Sequence, residues 1–326
     1  MRVATRNPSP RVAWRNVEAS RPVYHRVRAD VRIPPLLVLP LLAAGALQLG
    51  CAVNIATEGF IQHDRKQFTV SGVPELTLTT FDGEIEIRGW DRSTVEVEIE
   101  KRALSRELVD SVEIVAEQDG DKIRVEARRP SSGTWSVNLM RGPGRTVRLV
   151  AFVPLHTNVL AQSGDGRISA ERVKGQLELR TDDGSVRGIE VGGTVHVVTG
   201  DGSVKMDMVD GSVDVRTGDG SITLSGRPEA LKLHSEDGSM SIRVDDGAAM
   251  TADWDLSTND GRVSVYLPRQ FSAELDAATG DGRVRSDLDV QGQREHQNRE
   301  LRGRIGEGGH SLKIRTADGS ITLRPS

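Results

Sequence analysis

Cysteine, aromatic residues and net charge are all scarce in this chain of 326 residues. Cys51 is the only cysteine, so no intramolecular disulfide can form. Aromatic residues make up 3% of the chain, which leaves few platforms on which bases could stack. With 43 basic and 47 acidic residues, the net charge of -4 lacks the positive excess typical of nucleic-acid binding. We therefore predict no disulfide framework and no nucleic-acid partner.

Motifs for common catalytic and metal chemistry are also missing from the sequence. The seven histidines show no metal-ligand spacing. No Ser-His-Asp set, phosphate-binding glycine loop or Cys-His cluster appears in the chain. We predict a protein that is not an enzyme, with no cofactor and no metal site built from such motifs.

An Asp-Gly dipeptide recurs at a constant interval through the middle of the chain. Five copies follow one another at steps of 18 residues, and three looser copies follow at steps of 23, 21 and 37. A constant step indicates a repeat architecture, and the looser steps indicate insertions between similar units. The regular copies begin at Asp165, Asp183, Asp201, Asp219 and Asp237, and the looser ones at Asp260, Asp281 and Asp318.

Each 18-residue unit contains two pairs of apolar positions, and the members of each pair are two residues apart. In the first unit these pairs are Ile168 with Ala170, and Leu177 with Leu179. A spacing of two is the period of a strand with one buried face. A second glycine, Gly175 in this unit, lies nine residues after the Asp-Gly glycine. Each unit thus reads as two strands and two corners, and glycine suits a corner because it adopts positive φ freely.

Stacking of these units would turn the apolar positions into continuous buried ladders. We predict an all-β fold, a single-stranded right-handed β-helix or solenoid with coils of about 18 residues. The alternative is an antiparallel sandwich, because Asp-Gly between alternating strands is also a strong hairpin signal. Thr181, Thr199 and Thr217 form a further column, in which we expect a ladder of hydroxyl groups rather than a nucleophile.

The N-terminal residues differ in composition from the remainder. Residues 2–32 contain eight arginines and two acidic residues, and an apolar run follows that ends at Cys51. This order is typical of an export signal. Cys51 directly follows Gly50, as in the lipobox of bacterial lipoproteins, although Gln48 occupies the position where leucine is usual. We predict acylation of Cys51 and a membrane attachment without a spanning helix; the alternative is an unmodified signal or anchor.

Four segments follow from these patterns. Residues 1–51 form the basic region and export segment, and residues 52–70 form a tether. Residues 71–160 form irregular β coils that act as an N-terminal cap, because the open end of a solenoid needs shielding. Residues 161–326 form the regular repeats and a C-terminal cap.

The order of motifs along the chain resembles a known domain family. GEIEIRGWDRSTVEVEIEKRA is followed by RLVAFVP, by repeated T-x-D-G-S-[VI] units and by GGHSLKIRTADGSITL. Over about residues 65–326 the chain is similar to the bacterial "putative adhesin" domain family of unknown function. The resemblance implies a single-chain right-handed β-helix that is exported or membrane-attached, without established catalytic residues.

The acidic column of the Asp-Gly corners is the candidate site that the sequence offers. Stacking would place Asp165, Asp183, Asp201, Asp219 and Asp237 in a row about 4.8 Å apart, where cations would relieve their repulsion. A calcium-stabilised module is therefore one alternative. A polysaccharide-acting enzyme is another, with two carboxylates drawn from Asp182, Asp183, Glu236 and Asp237.

We expect a non-catalytic, exported protein of the bacterial envelope that acts as an adhesin or interaction scaffold. Its expected partner is an envelope or extracellular protein or polysaccharide, and the lipid on Cys51 would attach it to a membrane. A flat, rigid surface is what a solenoid offers a partner. Mixed charges occupy the predicted outward strand positions, namely Glu178, Arg180, His196, Asp214, Arg216, Lys232 and Arg243.

Overall fold

The computed structural model describes residues 23–27, 59–129 and 144–326, with the backbone alone for 23–27 and 293–296. Strands account for most of these residues, and the single helix among them is α1 (Arg106–Asp110). No helix in these ranges is both long enough and apolar enough to cross a membrane. Cys51 and the apolar run before it lie outside the described residues.

The described strands divide into an N-terminal and a C-terminal group. The first group consists of β1 (Val23–Val27), β2 (Gly59–Thr69), β3 (Glu75–Thr79), β4 (Ile85–Trp90), β5 (Thr94–Ala103), β6 (Glu113–Asp119), β7 (Lys122–Arg128), β8 (Arg145–Pro154), β9 (Asn158–Ser163), β10 (Ile168–Glu171), β11 (Lys174–Thr181) and β12 (Val186–Ile189). The second group consists of β13 (Gly192–Thr199), β14 (Val204–Thr217), β15 (Ile222–Ser235), β16 (Met240–Val244), β17 (Trp254–Thr258), β18 (Val263–Leu267), β19 (Ala273–Thr279), β20 (Val284–Ser286), β21 (Val290–His296), β22 (Glu300–Ile305), β23 (Ser311–Thr316) and β24 (Ile321–Pro325).

These strands form two faces, which β14 and β15 join into one sheet because each long strand contributes to both. Face A contains, from edge to edge, β1, β2, β5, β8, β4, β10, β12, the first halves of β14 and β15, β16, β18, β24 and β20. Face B contains β6, β7, β3, β9, β11, β13, the second halves of β14 and β15, β17, β23, β19, β22 and β21.

One layer of the molecule is a face-B strand followed along the chain by a face-A strand. In the middle layers the strands are parallel, and their register repeats every 18 residues: Ile168 lies beside Val186, Val186 beside Val204, and Val204 beside Ile222. These residues are 0–1% exposed and belong to one hydrophobic core. The apolar columns of the sequence thus become buried ladders, because residues two apart in a strand point to the same side.

The all-β fold is confirmed, but the prediction of a single right-handed β-helix with successive 18-residue coils is wrong. The sheet has mixed strand orientation. Antiparallel pairs close both ends, with β2 beside β5, β5 beside β8 and β6 beside β7 at one end, and β19 beside β22 and β21 beside β22 at the other. The end segments lack the 18-residue repeat, and antiparallel hairpins satisfy backbone groups that parallel coils would leave open.

The layers also do not follow chain order. The layer of β3 and β4 lies between that of β7 and β8 and that of β9 and β10. The layer of β23 and β24 lies between that of β17 and β18 and that of β19 and β20. Near each end of the stack, a layer of two strands is therefore placed between two layers that come from other parts of the chain.

Candidate anion-binding groove

The Asp-Gly corners place the predicted acidic column in solvent. All five carboxylates of the regular copies are exposed, and so are Asp182 and Glu236, the other two acids considered for glycoside chemistry. In the described part of the chain, no group of three His, Cys, Asp or Glu side chains is placed to hold a metal ion. A role of these aspartates toward cations stays a prediction, and so does acylation of Cys51, which the described ranges do not include.

The glycines of these corners have a packing role. Gly202 does not have a positive φ. A Cβ atom on it would lie 2.0 Å from the carbonyl oxygen of Gly184 in the adjacent layer, a distance at which no side chain fits. The prediction that glycine occupies this corner because it adopts positive φ is therefore wrong. Positive φ occurs instead in the second glycine column, at Gly175, Gly193 and Gly211.

The threonine column forms the expected hydroxyl ladder. The Thr199 hydroxyl donates to the carbonyl of Gly184 at 2.9 Å and accepts from the N–H of Gly202 at 3.3 Å. Its side chain is 3% exposed. Each hydroxyl therefore ties its own corner to that of the adjacent layer, and its two bonds make it a structural group. Equivalent donor bonds are made by Thr181, Thr217, Ser235, Thr258 and Thr316.

A groove of about 870 Å³ lies on the outer side of face A, over the last three strands of that face. We call it the arginine groove. Strands β18, β24 and β20 form its floor, and the turn between β21 and β22 forms one wall. Its cationic side chains are Arg262, Arg283, Arg285, Arg299 and Arg324, and its hydroxyl groups come from Ser264, Tyr266, Ser320 and Thr322.

Strand alternation explains why these side chains meet on one surface. Val263, Ile321 and Val284 are register neighbours that point into the core. The residues that follow them in the chain, Ser264, Thr322 and Arg285, are also neighbours and point outward. Because the side-chain period of a strand is two, each buried column has a solvent-facing column beside it. The arginines therefore stand on a floor that a packed core holds in place.

The wall of the groove comes from the hairpin of β21 and β22. Its turn residues Gln297 and Asn298 have φ values of 50° and 56°. The N–H of Val284 donates to the carbonyl of Asn298 at 2.8 Å, and the N–H of Thr279 donates to that of Arg299 at 2.9 Å. These backbone bonds fix the turn against the edge of β20. The hairpin thus closes the layer stack and also shapes the groove.

Charge in the groove is only partly neutralised. Arg299 pairs with Asp281 at 3.5 Å, and Arg324 pairs with Asp287 at 3.5 Å. In the part of the chain that the structure describes, the remaining lining arginines, Arg262, Arg283 and Arg285, form no ion pair with an acidic side chain. The groove therefore carries a local positive charge on a chain whose net charge is -4. An aromatic ring lies at its margin, where the guanidinium of Arg243 stands 4.7 Å from the ring centre of Tyr266.

Such a lining is chemically suited to bind anions. Guanidinium groups match carboxylate, sulfate and phosphate oxygens in a bidentate manner and are weakly hydrated. The lining, as far as it is described, includes neither histidine nor cysteine, and its one carboxylate is that of Asp281. The lining therefore offers five guanidinium groups and four hydroxyl groups to an anion.

This groove was not predicted from the sequence, although a signal was present. Four of the five regular units read Asp-Gly-Ser and the first reads Asp-Gly-Arg, whereas the two successive copies at Asp260 and Asp281 both read Asp-Gly-Arg. This change puts Arg262 and Arg283 into an outward column that serine occupies in most of the regular units. Their proximity could not be derived from the repeat, since Ser320 of the last layer lies between them.

Solved structures of bacterial proteins are similar to this chain at low sequence identity. The chain is similar to the crystal structure of a "putative cell adhesion protein" from Clostridium sporogenes, at 14% identity and a TM-score of 0.27, over 82% of this chain and 100% of that one. The chain is also similar to the crystal structure of a "putative adhesin" from Bacteroides fragilis, at 8% identity and a TM-score of 0.34, over 81% of this chain and 97% of that one. A third similar structure is that of a "putative lipid binding protein" from Parabacteroides distasonis, at 13% identity and a TM-score of 0.40, over 80% of this chain and 96% of that one.

A family model covers all copies of the repeat. The comparison with curated proteins finds no match. The model of the Toastrack family, DUF4097, matches residues 73–324, which include every layer described above. By this match the chain belongs to the Toastrack DUF4097 family.

Proposed function

We propose that this chain is a non-catalytic binding module of the bacterial envelope that holds an anionic ligand in the arginine groove. The observation that carries the proposal is the trio Arg262, Arg283 and Arg285, which stands without acidic partners among the described residues. Like charges that converge on one surface repel one another. A fold that brings them together without neutralising them is best explained by an anion that completes the site.

The rigidity of the floor supports binding without catalysis. The three floor strands are parallel neighbours with buried columns beneath the groove. A rigid site loses little conformational entropy when a ligand binds, so more of the contact energy contributes to affinity. The same rigidity suits an interaction scaffold, since the binding groups keep their positions without the ligand.

Export and lipidation are the second part of the proposal. The basic region, the apolar run and the cysteine after Gly50 support an export segment and acylation of Cys51. Strand β2 begins at Gly59, so residues 52–58 alone would separate an acylated Cys51 from this strand. A short connection would keep the folded part close to the membrane surface.

Direct binding measurements test the anion site. The probe is dextran sulfate, titrated against the full chain by calorimetry at low and high salt. We expect binding that weakens as salt rises, because exposed charges are screened. The double variant Arg283→Glu with Arg285→Glu should weaken binding at least about tenfold, which corresponds to about 1.4 kcal/mol.

A charge-matched control separates the groove from the general surface. Arg180→Glu with Arg216→Glu makes the same charge change on outward positions of face B, where both arginines already pair with acids. We expect this variant to bind dextran sulfate within about twofold of the unchanged protein, since surface charges far from the site are screened. Equal losses in the two double variants would refute the groove as the site.

Mass spectrometry tests the anchor. Protein extracted from membranes of the producing bacterium should begin at an acylated Cys51, and Cys51→Ser should shift the protein to the soluble fraction. A mature protein in which Cys51 is unmodified or absent would contradict lipidation, while the binding result would stand independently.

A further inference from the structure

The surface beside the arginine groove carries a row of hydroxyl groups. Thr223, Ser241, Ser264 and Thr322 are register neighbours on β15, β16, β18 and β24, and each points outward from face A. We call these four residues the hydroxyl stripe. Within the described residues none of the four side chains makes a hydrogen bond to another protein group, so their donors and acceptors face solvent.

Cationic side chains stand at both ends of this stripe. In the same register row, Arg285 on β20 follows Thr322, and Lys205 on β14 precedes Thr223. Arg187 on β12 lies beside Lys205. Lys205 pairs with Asp207 at 3.6 Å, whereas Arg187 forms no ion pair within the described ranges. The row therefore consists of two cations, four hydroxyl groups and one cation.

Strand spacing converts this row into a length. From β14 to β20 there are five neighbouring-strand steps, which at about 4.8 Å each span about 24 Å, and the further step to Arg187 on β12 extends the row to about 29 Å. A single small anion in the arginine groove could not reach Lys205 over that distance. A ligand that uses the whole row must be extended and must cross the strands.

Resting on the proposed function, we infer that the ligand is a linear acidic polysaccharide that lies across face A, along the hydroxyl stripe, with anionic groups at both ends of the row. Sugar hydroxyls can donate to and accept from serine and threonine hydroxyls, which are themselves both donors and acceptors. Carboxylate or sulfate groups of the polymer meet Arg285 in the arginine groove and Arg187 beside Lys205. Tyr266 adds one aromatic ring at the margin of the stripe.

The chemistry distinguishes this ligand from other polyanions. A polyphosphate chain offers acceptor oxygens but no donors, so it could accept hydrogen bonds from the hydroxyl stripe but could not donate to it. A single-stranded nucleic acid depends on stacking platforms for its bases, and Tyr266 is the one aromatic residue that lines the groove. A hydroxyl-rich polymer with acidic groups uses every residue of the row.

Oligogalacturonides of increasing length, titrated against the full chain, provide the test. Affinity should rise with length until the oligomer spans about 29 Å, from Arg285 to Arg187, and should then level off. The double variant Arg187→Glu with Lys205→Glu should weaken the binding of long oligomers at least about tenfold, which corresponds to about 1.4 kcal/mol. It should leave short oligomers unchanged, because they bind in the arginine groove alone.

A second variant isolates the hydroxyl groups. Thr223→Val with Ser241→Ala should weaken the binding of long oligogalacturonides several-fold and that of inorganic polyphosphate less, because phosphate oxygens only accept from these hydroxyls, whereas sugar hydroxyls also donate to them. Both positions are outward-facing, so the variant should keep its thermal stability.

The possible failures are distinct. If polyphosphate or single-stranded DNA binds as well as the long oligogalacturonides, and neither double variant in the row matters, the polysaccharide inference is wrong while the anion-binding proposal stands. If neither dextran sulfate nor oligogalacturonide binds, and Arg283→Glu with Arg285→Glu changes nothing, the proposed function fails as well.

Discussion

The same dipeptide forms two different structures in this molecule. Asp119-Gly120 turns the chain between the antiparallel strands β6 and β7, and Gly120 has a φ of 59° with nothing within 4 Å of the place for a Cβ. Asp201-Gly202 links a face-B strand to a face-A strand, and Gly202 is buried against Gly184 without a positive φ. One copy needs the conformational freedom of glycine, and the other needs its small size.

The difference shows that the neighbouring layer, rather than the dipeptide, decides the structure. Asp201-Gly202 has a copy of itself 18 residues away on either side, so equivalent corners can stack on one another. Asp119-Gly120 has no such copy at that distance, and its flanking strands pair with each other. Both alternatives considered from the sequence, stacking and hairpins, thus occur in one chain at different places.

The largest effect is expected from Gly202→Ala. The new methyl group would lie 2.0 Å from the carbonyl oxygen of Gly184, and two backbones would have to separate. We expect a loss of about 3 kcal/mol or more in the free energy of unfolding. Denaturant titration followed by circular dichroism measures this loss. A change below about 1 kcal/mol would refute the close-packing role of this column.

A smaller loss is expected from Thr199→Val, which keeps the shape of the side chain and removes its hydroxyl. The carbonyl of Gly184 and the N–H of Gly202 would each lose a partner inside the fold. We expect a loss of about 2 kcal/mol in the free energy of unfolding. Thr199→Ser is the matched control, because Ser235 makes the same bonds two repeats later in the column. If Thr199→Ser lowers the free energy of unfolding as much as Thr199→Val does, packing rather than hydrogen bonding dominates at this position.

Gly120→Ala isolates the cost of positive φ without a steric clash. The site is open, so the expected loss is about 1 kcal/mol, the penalty that an L-residue pays in the left-handed region. Thermal unfolding of this variant beside Gly202→Ala gives the comparison directly. Equal losses at the two glycines would remove the distinction between the two kinds of Asp-Gly.

The smallest effect is expected from Asp201→Asn. The carboxylate is exposed, and asparagine also favours turns, so the change should stay within about 0.5 kcal/mol. Melting curves with and without calcium complete the measurement. A large rise of Tm in calcium that Asp201→Asn abolishes would show that a bound cation stabilises the acidic column.

Much of the middle of the fold could be predicted from the sequence. The 18-residue step places Ile168, Val186 and Val204 in the observed register, because parallel stacking of similar units leaves one natural alignment. The long step before Asp318 correctly indicates an insertion, which is the hairpin of β21 and β22. The order of the layers could not be predicted, since equivalent units can stack on one another in more than one order.

The candidate groove escaped prediction for the same reason. Arg262, Ser320 and Arg283 belong to three different copies of the repeat, and only the order of the layers makes them neighbours. The unpaired charge of the groove arises from this juxtaposition. A reading of each repeat by itself shows only one or two exposed arginines, which ordinarily indicate no more than solubility.

The position of the last layer has a consequence for how the chain completes its fold. Leu312 and Ile314 are fully buried, and their strand separates β17 from β19. During synthesis β19 and β20 leave the ribosome before the layer on which they rest, because chains grow from the N-terminus. The arginine groove therefore forms only after residues 311–325 have been synthesised, and a chain that stops at residue 310 would lack an interior layer rather than an end.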